Sequence, residues 1–290
     1  MPDRPRVFVT RRIPQAGLTA LAAVAEVDLW DGELPPPRAV LLERARGVDG
    51  LLSLLTDRVD AELLDVAGPG LRVVSNYAVG YDNIDVAACR ERGVAVGNTP
   101  GVLTETTADL AFALLMAVAR RLPEGYDYVR QDRWQTWGPL LLLGKDVHGA
   151  TLGLVGFGRI GREMARRAQG FGMRTLYSSR TQAPPEVEAQ LGATFTPLEA
   201  LLAESDFVSL HTALTEQTHH LLDAPALAHM KEGAILINTS RGGVVDQAAL
   251  AEALRSGRLF GAGLDVTDPE PMRADDPLLA LPNCLVCLLY

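Results

Sequence analysis

The chain has 290 residues, enough for two domains that each bury a core of their own. It is 48% apolar and 22% charged, with no low-complexity tract, which excludes a disordered or fibrous protein. A formal net charge of −9 argues against nucleic acid or an anionic membrane as a main partner.

The first hundred residues alternate apolar strands with helical patterns. Arg6 to Thr10, Val27 to Leu29, Gly50 to Leu54 and Leu71 to Ser75 read as strands, and Gln15 to Ala25, Arg38 to Arg46 and Ala61 to Val66 as helices. This alternation predicts a parallel sheet with helices on both faces, whose ligands gather at the carboxyl ends of the strands. Two loops lie there, from Leu54 to Asp57 and from Asn76 to Asp82. Gly80 allows exposed backbone N–H groups that can hold a carboxylate; an ordinary tight turn is the alternative.

Asn98 to Gly101 then breaks the pattern as a hinge. Thr104 or Thr106 caps a helix that is apolar nearly all round from Ala108 to Ala119 and therefore buried; Leu122-Pro123 ends it. The arm from about 122 to 146 carries Trp134, Trp137 and the run Leu140 to Leu143, with few signs of a core element. It is either a subunit interface or a loop folded back on its own domain.

Thr151 to Val155 reads as a short buried strand that breaks at Gly156-Phe157-Gly158-Arg159-Ile160-Gly161. A helix follows, with Ile160, Met164, Ala168 and Phe171 on one face. In such a G-x-G-x-x-G the first glycine allows the tight turn, the second lets backbone approach a pyrophosphate, and the third lets helix pack on strand. The helix N-terminus offers free N–H groups and partial positive charge. Strand, glycines and helix together predict a dinucleotide site.

The next strand, Met173 to Ser178, leads into Ser179-Arg180-Thr181, and no Asp or Glu occurs between Glu163 and Glu186. An NAD site usually places a carboxylate there for the ribose 2′-OH. Two hydroxyls and a guanidinium suit a 2′-phosphate instead, so NADPH is expected over NADH, with NAD still possible; a solvated loop arginine is the alternative.

Three further strands end in polar groups on the edge where a cofactor must lie. Phe207 to Leu210 precedes His211 to Thr215, Ala234 to Asn238 precedes Thr239-Ser240-Arg241-Gly242-Gly243, and Gly261 to Leu264 precedes Asp265 to Pro271. Arg241 is placed to clamp an α-keto acid by its carboxylate and polarise the carbonyl. Asp265 can accept from a carboxamide, and Glu270 can orient a catalytic base. A loop cap for Arg241 and a surface ion pair for Glu270 are the alternatives.

No N-terminal stretch has the basic start and apolar core of a signal peptide, and the longest apolar run, Leu110 to Ala119, is too short to span a bilayer. Cys89, Cys284 and Cys287 form no ligand cluster with the histidines, and Cys284-x-x-Cys287 has no second pair. The expectation is a cytoplasmic protein without a metal or a membrane partner.

Val79-Gly80-Tyr81-Asp82-Asn83-Ile84-Asp85, the Gly156–Gly161 motif, Ile237 to Gly242 and Gly263 to Pro271 together resemble the D-isomer-specific 2-hydroxyacid dehydrogenases, in particular the glyoxylate/hydroxypyruvate reductase branch. The resemblance runs from about residue 5 to about residue 286. It implies an α/β fold of two doubly wound parallel-sheet domains: a flavodoxin-like substrate domain over 1–99 and a Rossmann NAD(P)-binding domain over 100–290. It implies homodimers built by the arm around Trp134 and Trp137, and a small 2-keto acid such as glyoxylate or hydroxypyruvate as substrate. By resemblance Arg241 is the substrate-binding and catalytic arginine, and Glu270 the partner of the catalytic histidine. Leu55, Val79 and Gly80 serve the substrate, Asp265 and Thr239 the carboxamide, and Thr212 to Leu214 the adenosine side. At the end the sequence departs from the pattern: Cys287-Leu288-Leu289-Tyr290 replaces the family's Thr-Pro-His stretch, Leu289 stands at the histidine, and the helix that returns to the substrate domain is missing. The competing expectation is therefore an impaired NAD(P)-binding relic or regulatory binding protein, like the corepressors that share the fold.

Overall fold

A computed structural model describes residues 4–289. The chain divides into two units at Leu103–Thr104.

The first unit carries β1 (Arg6–Val9), α1 (Gln15–Val24), β2 (Glu26–Leu29), α2 (Arg38–Ala45), β3 (Gly50–Ser53), α3 (Ala61–Ala67), β4 (Val73–Asn76), α4 (Val86–Glu91) and β5 (Ala95–Gly97). The strands are all parallel in the order β2-β1-β3-β4-β5, the flavodoxin-like winding. Period-two alternation divides their side chains between two layers. Phe8, Leu51 and Val74 pack with Leu41, Leu63 and Leu64 of α2 and α3, whereas Val9 packs on the opposite side with Ile13 and Leu18. α4 and β5 are short elements that the sequence pattern does not mark; α4 depends on Asp85, whose carboxylate caps Ala88 N–H at 2.8 Å.

The second unit begins with α5 (Thr104–Ala119) and α6 (Leu122–Arg130). The sequence reading ended the helical region at Leu122-Pro123, but a new helix starts there. Proline in a first turn lacks only an N–H that would have no helical partner anyway, and Arg121, in the left-handed region, bonds Glu124 at 2.8 Å. β6 (Thr151–Val155), α7 (Arg159–Gln169), β7 (Arg174–Ser178), α8 (Pro185–Leu191), β8 (Ala193–Phe195), α9 (Leu198–Glu204), β9 (Phe207–Leu210), α10 (Ala224–His229), β10 (Ile235–Asn238), α11 (Gln247–Arg255), β11 (Gly261–Leu264) and β12 (Cys284–Val286) follow. Their order in the sheet, β12-β11-β10-β9-β6-β7-β8, is the Rossmann winding plus one edge strand, all parallel. Alternation again builds two layers: Leu152, Leu154, Tyr177 and Ile237 with α5 and α7, and Val155, Leu176, Val208 and Leu236 with α9, α10 and α11. No helix among the described residues is long and apolar enough to cross a membrane.

Candidate active site

In a parallel sheet every strand delivers its carboxyl end to one edge. β6, β9, β10 and β11 are consecutive neighbours in the sheet, so the Gly156 loop, the His211 loop, the Arg241 turn and the Asp265 loop emerge side by side.

The glycine loop is shaped for a dinucleotide. Gly156 has φ 98°, and a Cβ on it would stand 2.4 Å from His211 O, so only glycine brings the loop this close to β9. A Cβ on Gly161 would stand 2.3 Å from Gly156 O, which fixes α7 against the turn. Gly158 is the opposite case: a Cβ there meets nothing within 4 Å, and the space lies at the N-cap of α7, where the helix offers its unpaired N–H groups. Arg159 and Ile160 form the first turn, while Phe157 is buried and stacks on Tyr177 with ring centroids 3.9 Å apart. The cradle fits a pyrophosphate.

The loop after β7 is tied down by its flanks. Tyr177 Oη donates to Glu188 Oε1 at 2.5 Å and accepts from Ala183 N–H at 2.8 Å. Gln182 adds a bond to the same carboxylate at 3.0 Å. Ser179 Oγ donates to Thr181 O at 2.7 Å, so this hydroxyl closes the loop on itself, while Arg180 and Thr181 are exposed.

Asn238 organises the turn that carries Arg241. Its Oδ1 accepts from Ser240 N–H at 3.0 Å and Ser240 Oγ at 2.8 Å, and its Nδ2 donates to Arg241 O at 2.9 Å. Arg241 is half-buried and donates from Nη1 to Ser240 O at 2.7 Å. A Cβ on Gly242 would stand 2.0 Å from the Thr267 carbonyl carbon, so the turn lies directly on the loop from Asp265 to Glu270. Asn238 and Thr267 are scaffold residues that the sequence reading overlooked. An Asn at the end of an apolar strand, two positions before a Ser, is an Asx-turn signal that marks the first of them.

The Thr239 hydroxyl is buried and has no hydrogen-bond partner among the described residues, an orphan that suits a polar group of a bound ligand. Burial pushes the Asp265 carboxyl above its usual range, partly offset by Leu289 N–H, which donates to Oδ1 at 2.6 Å. Backbone of the chain itself thus takes the kind of bond expected there from a carboxamide. Glu270 lies exposed further along the same loop. Thr212 and Leu214 are half-buried, with Leu214 packed against the β9–β11 layer; His211, whose Nε2 lies 2.9 Å from Ser209 Oγ, is pushed down to about 3 by burial and stays neutral.

In the first unit, the two strand-end loops are rigid. Asp57 Oδ2 accepts from Thr10 Oγ1 at 2.5 Å and Leu54 N–H at 2.8 Å, holding the loop that exposes Leu55. Asn76 Nδ2 donates to Gly80 O at 2.8 Å, and Asn98 Nδ2 to Val79 O at 2.8 Å. With both carbonyls engaged, the orientation of the Val79–Gly80 peptides is fixed.

A doubly wound parallel sheet with a glycine loop and an arginine turn on one edge is the architecture of a nucleotide-binding α/β protein. Residues 112–287 match the model of the NAD binding domain of D-isomer specific 2-hydroxyacid dehydrogenases. A glyoxylate reductase of Korarchaeum cryptofilum is 56% identical over 284 residues, covering 98% of this chain and 85% of that protein. A crystal structure from Thermus thermophilus superposes with TM-score 0.89 at 54% identity, over 97% of this chain and 88% of that one. The NADPH-dependent glyoxylate/hydroxypyruvate reductase of Sinorhizobium meliloti, solved with NADP and malonate, gives 0.86 at 35% identity, over 98% and 86%. The chain belongs to the D-isomer specific 2-hydroxyacid dehydrogenase family, the NAD(P)-dependent oxidoreductases, in its glyoxylate reductase branch.

Proposed function

We propose that the protein is an NADPH-dependent reductase of glyoxylate or hydroxypyruvate, with a substrate unit over roughly 1–99 and a cofactor unit from about 100 onward. The single observation that carries this reading is the Arg241 turn, which emerges between the Asp265 loop and the His211 loop on the edge that also bears the glycine cradle. Relatives named glyoxylate reductase, at 56% and 53% identity, support the substrate. Bound in the cradle, the cofactor supplies hydride.

The chain's own residues do the rest. Gly156 to Gly161 hold the pyrophosphate through backbone N–H groups, and Arg180 with Thr181 takes the 2′-phosphate, joined by Ser179 once its hydroxyl turns from Thr181 O. Thr239 and Asp265 hold the carboxamide, and Thr212 and Leu214 line the adenosine side. Arg241 grips the keto-acid carboxylate bidentately and polarises the carbonyl oxygen. Leu55, Val79 and Gly80 are the first unit's own substrate-binding residues. Glu270 serves to orient a proton-donating side chain, and the position the resemblance gives that side chain holds Leu289 here. The arm around Trp134 and Trp137, which are 63% and 80% exposed, supplies a dimer interface, and the protein works in the cytoplasm.

Leu289 stands where the family's proton donor does and cannot give a proton, and its N–H sits on Asp265. A positioned acid typically contributes ~10²–10⁴-fold, so a leucine in place of that acid is expected to slow turnover by that order and to leave cofactor binding unchanged. The test follows NADPH oxidation with glyoxylate in this polypeptide and in one whose residues after Val286 are replaced by a histidine-bearing family ending. The repaired protein regains turnover with NADPH preferred to NADH, and Arg180→Ala weakens NADPH mainly. Equal rates for the two polypeptides, or equal affinity for the two cofactors, refute the respective assignment.

A further inference from the structure

We propose that His219, His220 and Asp268 form a binding site for a divalent transition-metal ion of the zinc class. It joins the segment after β9 to the loop after β11. Among the described residues this is the one group of three such side chains whose ligand atoms all lie within 4.8 Å of one another. The two imidazoles stack nearly parallel, with centroids 4.0 Å apart and planes 23° from coplanar. Two imidazoles and one carboxylate are donors suited to zinc, cobalt or nickel, whereas calcium and magnesium take oxygen.

The separation of the donor atoms is within reach of a shared ion. Metal–ligand bonds of about 2.1 Å in a tetrahedron put donor atoms about 3.4 Å apart, so closure asks for up to about 1.4 Å of approach. It also requires the two rings to turn out of their stack, because imidazole lone pairs lie in the ring plane. All three side chains are exposed and can rotate that far, and water completes the shell.

The backbones beneath them are fixed. His220 N–H donates to Gly243 O at 2.8 Å, and His219 N–H to Thr215 O at 2.9 Å. His220 adopts φ 49°, left-handed backbone that only a few per cent of non-glycine residues use. Asp268 is clamped from both sides by Gln247, whose Nε2 donates to Asp268 O and whose Oε1 accepts from Asp268 N–H, each at 2.7 Å. Its Oδ2 lies 3.5 Å from where a Cβ on Gly243 would stand. Both ligand segments therefore rest on the Gly242–Gly243 turn directly after Arg241, and Glu270 follows Asp268 by two positions. A bound ion staples the loops that flank the catalytic arginine.

The test uses tag-free protein stripped with chelator, titrated with Zn²⁺ by calorimetry and with Co²⁺ by absorption. Asn tolerates left-handed backbone, so His220→Asn is combined with His219→Ala to remove both imidazoles without strain. Changes outside the ligand shell alone typically cost ~10–100-fold in affinity. One equivalent of metal is expected, with at least about a 100-fold loss in the double variant, a smaller loss in Asp268→Asn, and no change in Cys284→Ser/Cys287→Ser. Zn²⁺ also raises the melting temperature of wild type but not of the double variant. Absence of stoichiometric binding to wild type, undiminished binding by the double variant, or binding lost with the two thiols overturns the proposal.

Discussion

Replacing Gly158 by alanine separates cofactor binding from folding. Its φ of −75° and ψ of −158° suit any residue, and a Cβ there meets nothing within 4 Å. Stability should change by no more than about 0.5 kcal/mol, or one to two degrees in melting temperature. The added methyl group stands where a phosphate must approach the N-terminus of α7. Loss of one charge-assisted bond, about 1.5–3 kcal/mol, predicts a Kd for NADPH raised roughly 10- to 150-fold. Gly156→Ala is the control. There the Cβ would lie 2.4 Å from His211 O and 2.7 Å from its carbonyl carbon, at φ 98°. A left-handed backbone costs about 1–3 kcal/mol and overpacking a similar amount, so that variant should melt roughly 5–20 degrees lower. The assay is quenching of protein fluorescence by NADPH, alongside thermal melts. Wild-type affinity in Gly158→Ala, or a melting loss as large as that of Gly156→Ala, refutes the assignment of this space to the phosphates.

Three shorter predictions follow from neighbouring residues. His211 is held neutral down to about pH 3 while an unfolded histidine titrates near 6.5. The folded form binds fewer protons in that window, so stability is full above 6.5 and falls with pH towards 3. Urea midpoints should show about 2–3 kcal/mol lost between pH 6.5 and 4.5 from this group, and His211→Gln should flatten that slope. Tyr177→Phe keeps the stack on Phe157 but drops the bonds to Glu188 and Ala183; it should cost about 1–2 kcal/mol and narrow the NADPH-to-NADH affinity ratio in fluorescence titrations. Arg241→Lys, made in the histidine-repaired protein, should lower kcat/KM for glyoxylate at least about 100-fold with a melting temperature within two degrees; a large melting loss would point to a loop-capping role instead.

By itself the sequence determined most of the second unit's working edge. Thr151 to Val155, Phe207 to Leu210 and Gly261 to Leu264 are strands with the bounds their apolar runs predict, because buried parallel strands must be continuously apolar. Gly156 and Gly161 are legible for the same kind of reason, since each answers a local demand of backbone or helix approach. Local pattern had no means of marking β5, β8 and β12, three residues each, whose existence depends on a neighbouring strand at the edge to accept them. Nor could it mark α6, where Pro123 reads as an end until the left-handed Arg121 turns it into a beginning. Only tertiary structure decided which groups meet: the Gly242 backbone against Thr267, the Tyr177 hydroxyl on Glu188, Leu289 N–H on Asp265, and two histidines beside an aspartate 48 positions further on. Spacing along a chain fixes which residues share a strand or a helix face. Contacts between strand-end loops depend on the order of strands in the sheet, and a one-dimensional period carries no record of that order.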